Sequence, residues 1–196
     1  MNVNEKNLGV QSQRFDKLVP AYASGLSSIV LSQGVVIGHV LFCDFDSDVG
    51  IDVILDEISK LNGVCVLFSS SNQHFHLMNL AIRDRNEVAL LKLSMQGDDA
   101  KHTKIGYRRR RWILRCDDKK GFDGETLKRK PVFSRIFFND ADMDFQMQSR
   151  IHRRLLKEIY DVEMPQEMIV RYVWGGDETE IETYMTYEGG EKGWTQ

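Results

Sequence analysis

Three short segments of the sequence place two polar side chains on either side of one apolar residue. These segments are Asp44-Phe45-Asp46, His74-Phe75-His76 and Arg115-Cys116-Asp117. On a β-strand, residues two apart point to the same face, and the residue between them points to the other face. Each segment therefore predicts a strand that presents its polar pair on one face and anchors an apolar side chain on the opposite one.

The carboxylates in these segments favour divalent-metal chemistry. Asp44 and Asp46 on one strand face would repel each other at neutral pH, unless one keeps its proton or a cation lies between them. Mg²⁺ or Mn²⁺ would remove this repulsion and leave coordination positions open for phosphate and water. If the three strands are neighbours, a third carboxylate completes the site, so we predict Asp44, Asp46 and Asp117 as the catalytic and metal-binding residues.

Two more side chains complete the set of groups that nucleotidyl transfer needs. Arg115 shares a strand face with Asp117, and its planar guanidinium could hold a triphosphate, while His76 could add a hydrogen-bond donor. The predicted reaction is an in-line attack by a 3′-hydroxyl on an α-phosphate. Metal ions would lower the pKa of that hydroxyl and neutralise charge on the departing pyrophosphate.

Hydrophobic patterns predict the elements that position these residues. The run from Val35 to Cys43 is rich in β-branched and aromatic residues and predicts a buried strand that ends at Asp44. Further strands are predicted over 64–68, 74–82, 110–116 and 132–138, helices over 51–61, 86–95 and 142–160, and one or two short helices within 15–31. Alternation over 168–174 and 180–187 around a Gly-Gly-Asp turn predicts a C-terminal hairpin.

Length and composition predict a single folding unit. The chain has 196 residues, of which 42% are hydrophobic and 28% are charged, as is usual for one globular domain. We predict a flexible polar arm over residues 1–12 and a single catalytic domain over 13–196. The motif core is placed at about 35–138, and the C-terminal helix and hairpin within 142–190. Together these elements predict an α+β fold with a mostly antiparallel sheet.

Charge is unevenly distributed along the chain. The net charge is -3, yet Arg108, Arg109, Arg110 and Arg111 form an unbroken basic run. This run predicts either a binding surface for template phosphates or a solvated strand entrance. The three cysteines lie in apolar runs without a zinc-type spacing, which favours buried thiols in a reducing cytoplasm. The sequence starts without a basic-then-apolar leader and has no apolar run of membrane length, so we expect neither secretion nor membrane insertion.

In this order, the three segments resemble the motifs of archaeo-eukaryotic primases and primase-polymerases. The run from Leu41 to Asp46 matches the acidic DxD motif of that family. Ser70 and His76 have the spacing of its SxH motif, and Ile113–Asp117 looks like its RxD motif, in which the arginine contacts nucleotide phosphates. The basic segment 121–134 is similar to the stretch that follows RxD, so the resemblance implies a triphosphate contact for Lys128.

The resemblance implies a template-dependent DNA primase or primase-polymerase with an RRM-like catalytic core flanked by helices. Its nucleotide-binding residues would be Ser70, His76, Arg115 and Lys128. The implied cofactor is Mg²⁺ or Mn²⁺, and no zinc is expected because no cluster of cysteines and histidines separates His76 from Arg115. The implied partners are a single-stranded DNA template and nucleoside triphosphates, with a replicative helicase or an accessory primase subunit as further candidates.

Two other functions fit parts of the sequence. His74-Phe75-His76 also resembles the metal site of rolling-circle replication endonucleases, for which Tyr160 would be the nucleophile. That function leaves the acidic and RxD segments unexplained. A non-catalytic nucleic-acid-binding module would instead use Phe45 and Phe75 for base stacking and the arginine run for charge.

Overall fold

A computed structural model of the protein describes most of the chain between residues 20 and 187. The described ranges are 20–32, 34–45, 48–70, 74–121, 124–139, 148–163, 172–173 and 181–187. The predicted arm over 1–12 lies outside them, and so does Asp46.

Within these ranges the protein has an α+β fold with mostly antiparallel sheets. The described strands are β1 (Pro20–Ser27), β2 (Ile29–Ser32), β3 (Val35–Phe45), β4 (Gly63–Ser69), β5 (Phe75–Arg83), β6 (Ile113–Arg115), β7 (Lys119–Gly121), β8 (Thr126–Lys128), β9 (Val132–Asn139), β10 (Gln148–Ser149), β11 (Tyr172–Val173) and β12 (Ile181–Tyr187). The described helices are α1 (Ile51–Ser59), α2 (Arg85–Ser94), α3 (Ala100–Arg109) and α4 (Arg150–Tyr160).

The strands form two sheets. The larger sheet contains the order β2–β3–β5–β4–β9, and each neighbouring pair in it is antiparallel. β10 joins β5 beside Ala81, and β11 pairs in parallel with β10. In the smaller sheet, β12 pairs with one edge of β1, while β6 and β7 pair with successive parts of its other edge and β8 pairs with β7.

Helices cover both faces of the larger sheet. On one face, the ring of His152 in α4 contacts Phe42, with 5.8 Å between ring centroids, and Tyr160 contacts Phe68 at 4.6 Å. On the other face, the Cys43 thiol lies 3.3 Å from the sulfur of Met95, just after α2. Because alternate residues of β3 are buried against different helices, the strand is apolar on both faces, as its sequence predicts.

Trp112 joins α3 to the strands. Its side chain is fully buried, and its indole nitrogen donates to the carbonyl of Thr103 at 3.3 Å. The indole lies so close to Gly106 that a Cβ atom built there would be 2.1 Å from the ring. A backbone hydrogen bond from Ser28 to the Trp112 carbonyl, at 2.9 Å, ties this residue to the point where β1 passes into β2. α3 and β6 are therefore held in one fixed relation.

Six of the predicted elements are confirmed with shifted bounds: β3, β4, β5, β9, α1 and α2. The short helices predicted within 15–31 are wrong over the described part, because residues 20–32 form β1 and β2. β1 has pairing partners on both edges, and this long-range pairing decides a segment whose apolar spacing is ambiguous.

Helix α3 was not expected, and it changes the setting of the arginine run. Asp99 caps its first turn by accepting a hydrogen bond from the backbone of Lys101 at 2.7 Å, and Arg110 ends it in the left-handed conformation with φ 62°. Arg108 and Arg109 thus lie in the last turn of a helix rather than at a strand entrance. The strand predicted over 110–116 is limited to Ile113–Arg115.

Two C-terminal predictions also need correction. The described part of the helix predicted over 142–160 begins at Arg150, where Ser149 caps it, and residues 148–149 form β10. The rest of that prediction, residues 142–147, lies outside the described ranges. The two predicted hairpin strands exist as β11 and β12 but do not pair with each other, since β11 pairs with β10 and β12 with β1. Alternation identifies a strand without identifying its partner.

Candidate active site

Two of the three polar segments lie side by side in the larger sheet. The register of β3 and β5 places Asp44 opposite His76, and residues opposite each other point to the same face. The Nε2 atom of His76 is 3.4 Å from Oδ1 of Asp44. The His76 side chain is 8% exposed and that of Asp44 is 38% exposed, so the carboxylate is the more open of the two groups.

The third segment reaches this site from the other sheet. β6 pairs with β1, not with β3 or β5, but Nη2 of Arg115 donates to the hydroxyl of Ser70 at 3.0 Å. Nη1 of Arg115 donates to the backbone carbonyls of Asp117 at 2.8 Å and Arg129 at 2.7 Å. Asp117 itself is exposed, and its carboxylate accepts a hydrogen bond from the backbone of Asp118 at 2.7 Å. Arg115, rather than Asp117, joins the third segment to the other two.

These side chains open into one cleft of about 380 Å³. Its walls are the ends of β3 and β5, the strands β6 to β8, and α3. Seven predicted site residues line it, namely Asp44, Ser70, His76, Arg109, Arg111, Arg115 and Lys128. Arg108, Arg110 and Asp117 are exposed residues that do not line it, and Asp46 lies outside the described residues. The structure thus brings together most of the residues predicted from the polar segments, the arginine run and the family resemblance.

The cleft is strongly basic although the whole chain is acidic. Six lining residues are cationic and two are carboxylates: Lys101, Arg109, Arg111, Arg115, Lys119 and Lys128 against Asp44 and Asp99. Clefts lined by one sign of charge concentrate ligands of the opposite sign. The surroundings therefore suit a polyanion such as a nucleotide or a nucleic-acid strand.

Burial shifts the pKa values of both Asp44 and His76. Desolvation, and then the nearby charge of Asp99, raise the pKa of Asp44. Desolvation, followed by the charges of Arg115, His74 and Lys128, lowers the pKa of His76 to about 3, so its ring is neutral at pH 7. Nε2 faces the Asp44 carboxylate, which can only accept a hydrogen bond, so the neutral ring carries its proton on Nε2. Nδ1 of His76 is then an acceptor, and it is buried without a protein partner among the described residues.

Backbone hydrogen bonds hold Asp44 at the mouth of the cleft. Its backbone N–H donates to Oδ1 of Asp98 at 2.9 Å, and its carbonyl accepts from the backbone of Asp99 at 2.8 Å. Asp98 is in turn paired with Lys92 at 2.8 Å, and both side chains are fully buried. We did not predict these residues from the sequence. The available signal was Lys92 on the apolar face of α2, one helical turn from Val88.

Two carboxylates, Asp44 and Asp99, line the cleft and are oxygen donors of the kind that a hard divalent cation prefers. The pKa of Asp44 is raised first by desolvation and then by the charge of Asp99, and a cation would offset the second of these causes. Within the described ranges, no three His, Cys, Asp or Glu side chains are grouped so that they could hold a metal ion. Asp46, the second predicted ligand, follows the last residue of β3 and is outside those ranges.

Tyr160 and Phe45, which the two alternative functions require, lie in other surroundings. Tyr160 does not line the cleft, because its ring packs against Phe68 and under the ammonium group of Lys130, 4.6 Å from the ring centre. Burial also raises the pKa of Tyr160, which opposes formation of a phenolate nucleophile. Phe45 is fully buried and therefore cannot stack on a base.

Comparison with known proteins found no matching family model, no matching curated protein and no matching solved structure. The geometry and chemistry of the cleft are therefore the basis for assigning a function. None of the helices in the described ranges has the length and apolarity needed to cross a membrane.

Proposed function

We propose that the protein is a template-dependent nucleotidyl transferase, a DNA primase or primase-polymerase that joins nucleoside triphosphates on single-stranded DNA. The observation that carries the proposal is the composition of one cleft. It contains the Asp44–His76 pair on one wall and the Arg115–Ser70 pair on another, within a basic lining. A carboxylate beside phosphate-binding cations is the combination that nucleotidyl transfer uses.

Arg115 is proposed to bind the triphosphate of the incoming nucleotide. Its guanidinium is already oriented by Ser70 and by two backbone carbonyls, so little side-chain entropy is lost when a phosphate binds. Ser70 acts by orienting Arg115. Lys128, which also lines the cleft, adds a second positive charge for the same group.

Asp44 is proposed as the first metal ligand, and Asp46 as the second ligand that the sequence motif suggests. Asp117, the third ligand suggested by the motifs, does not line the cleft, so its carboxylate would have to turn away from the Asp118 backbone to reach the metal. Mg²⁺ or Mn²⁺ bound there would supply Lewis-acid stabilisation of negative charge on the reacting phosphates. We infer that His76 positions the Asp44 carboxylate, since its Nε2 lies 3.4 Å from Oδ1, and its neutral ring adds no positive charge that would weaken metal binding. His76 is therefore assigned to positioning the carboxylate rather than to direct phosphate contact.

Arg109 and Arg111 are proposed to bind the phosphates of the template strand. They line the cleft from the end of α3, whereas Arg108 and Arg110 in the same run are exposed outside it. This division favours the phosphate-binding interpretation of the arginine run for two of its four members. A replicative helicase or accessory subunit remains part of the proposal as a partner of the reaction.

A primer-synthesis assay tests the proposal. Purified protein is incubated with an oligonucleotide template, nucleoside triphosphates and Mn²⁺, and labelled products are resolved by length. We expect product from the wild-type chain, and loss of at least about a hundredfold in Asp44→Asn. Asp52→Asn serves as the matched control, because Asp52 is an exposed carboxylate of α1 that does not line the cleft.

The outcomes separate the candidate functions. Equal product from Asp44→Asn and wild type would contradict the assignment of Asp44. A covalent protein–DNA adduct that disappears in Tyr160→Phe would support an endonuclease instead. Binding of the oligonucleotide with neither product nor adduct would support a non-catalytic module.

A further inference from the structure

A buried network lies directly behind the Asp44–His76 pair. Asp98 is its centre: Oδ1 accepts from the backbone of Asp44 at 2.9 Å, and Oδ2 accepts from the hydroxyl of Thr103 at 2.8 Å. The ammonium group of Lys92 is 2.8 Å from Oδ2 of Asp98 and also donates to the backbone carbonyl of Phe42. The network therefore fastens β3 at two points, one of them the backbone of Asp44.

The same network continues to the opposite wall of the cleft. Nζ of Lys92 lies 3.4 Å from Nδ1 of His102, and Nε2 of His102 lies 3.1 Å from the carbonyl of Ile113. Since a carbonyl only accepts, Nε2 carries the proton and Nδ1 accepts from Lys92. Ile113 is two residues before Arg115 on β6, and both line the cleft. One chain of contacts thus runs from the Asp44 backbone to the strand that carries Arg115.

A fully buried Lys92–Asp98 ion pair is not expected if its role is only to stabilise the fold. Both side chains have no exposed surface, so both charges lose their hydration on folding. Apolar side chains of similar volume often give equal or greater stability at such positions. An apolar pair cannot fix the directions of several hydrogen bonds at once. Here hydrogen-bond donors and acceptors from β3, α2, α3 and β6 are joined in one network.

We propose that Lys92, Asp98 and His102 are positioning residues that set the Asp44 carboxylate at a fixed distance from the Arg115 guanidinium across the cleft. The catalytic consequence rests on the proposed function, because it concerns the alignment of a metal ligand with a triphosphate-binding group. The positional consequence does not, because it is a property of the two walls. Each consequence has its own measurement.

Two double variants differ in a single group. Lys92→Met with Asp98→Asn removes both charges but keeps an oxygen that can accept from the Asp44 backbone. Lys92→Met with Asp98→Leu removes that acceptor as well. If the network positions Asp44, the Leu variant should lose at least about tenfold in kcat with little change in KM. The Asn variant should recover part of that loss, because it keeps the contact with the Asp44 backbone but not the Lys92 contacts with Phe42 and His102. Equal kcat values for the two variants, after correction for the folded fraction, would overturn the proposal.

Hydrogen–deuterium exchange gives the measurement that is independent of catalysis. In the Leu variant, backbone exchange around residues 42–45 and 113–116 should be at least about tenfold faster than in wild type, with the β4–β5 pairing unchanged. Asn79→Leu is the matched control, since it removes another fully buried polar side chain of the larger sheet, one that does not line the cleft. Acceleration confined to 42–45, or spread evenly over the protein, would show that the walls are not coupled. If exchange follows the proposal while wild type makes no primer, only the proposed function fails.

Discussion

Replacing His76 with glutamine is expected to make the stability of the fold less sensitive to acid. Burial, and then the charges of Arg115, His74 and Lys128, hold the pKa of His76 at about 3, against 6.5 in an unfolded chain. Between these two values the unfolded state binds a proton that the folded state does not. The contribution of His76 to the stability of the wild-type protein is therefore complete above pH 6.5 and is lost progressively as the pH falls toward 3.

The size of the effect follows from the distance to the unfolded pKa. At about pH 5 the proton bound by the unfolded state is worth about 1.5 times 1.36 kcal/mol, or roughly 2 kcal/mol. Urea unfolding at about pH 7.5 and about pH 5 gives the free energy of unfolding at each pH. The difference between the two values should be about 2 kcal/mol smaller in His76→Gln than in wild type.

Asn139→Ala is the control for a general loss of stability. It removes an amide that donates to the backbone carbonyls of Ile58 and Leu61, and neither carbonyl titrates. We expect it to lower stability by a similar amount at both pH values. If His76→Gln shows the same pH difference as wild type, the ring of His76 is not held neutral by its surroundings, and the assignment of Nδ1 as an acceptor fails with it.

Three further substitutions test other parts of the structure. Gly106→Ala should destabilise the protein by about 1 to 3 kcal/mol in thermal unfolding, because the new methyl group would meet the Trp112 ring. Arg115→Lys should raise the KM for nucleotide about tenfold in the primer assay, since a lysine lacks the planar donor fork. Arg109→Gln combined with Arg111→Gln should reduce the slope of log K against log salt for single-stranded DNA by about 1.4, as each lost phosphate contact removes about 0.7.

Two of these have a matched comparison in the same chain. Gly50→Ala should destabilise the protein by less than about 1 kcal/mol, because nothing lies within 4 Å of the added atom and only the preference for glycine over alanine at the N-cap of α1 is lost. Arg108→Gln combined with Arg110→Gln removes the same charge from outside the cleft and should leave most of the salt slope in place. An equal loss of slope in both double variants would show that template binding depends on all four arginines of the run. An unchanged KM for nucleotide in Arg115→Lys would show that Arg115 does not bind the triphosphate.

The sequence predicted the polar pair on β3 and β5 correctly because a strand alternates its faces regardless of context. Asp44 and His76 lie side by side once β3 and β5 pair in the correct register. That register is fixed by the buried apolar residues of the two strands. Arg115 was assigned to the same site on the assumption that its strand was a neighbour. It reaches the site from a different sheet instead, through a long side chain and Ser70.

Other features depend on contacts that local patterns do not encode. α3 follows a Gly-Asp-Asp segment that is typical of a turn, and its best signal was the capping side chain of Asp99. The pairing of β12 with β1 joins residues from opposite ends of the described chain, so no turn signal marks it. The buried Lys92–Asp98 pair was missed because a lysine on an apolar helix face is usually assigned to solvent.

The placement of β1 between β12 and β6 has a consequence for the order of folding. The centre of the larger sheet is built from β3, β4 and β5, which are close in sequence, and pairings of this kind form early because the loops to be closed are short. Leu26 of β1 instead pairs with Leu114 and Ile181, and these pairings close loops that span most of the described chain. The wall that carries Arg115 is therefore expected to assemble last, and substitutions in β1 should speed unfolding more than they slow folding.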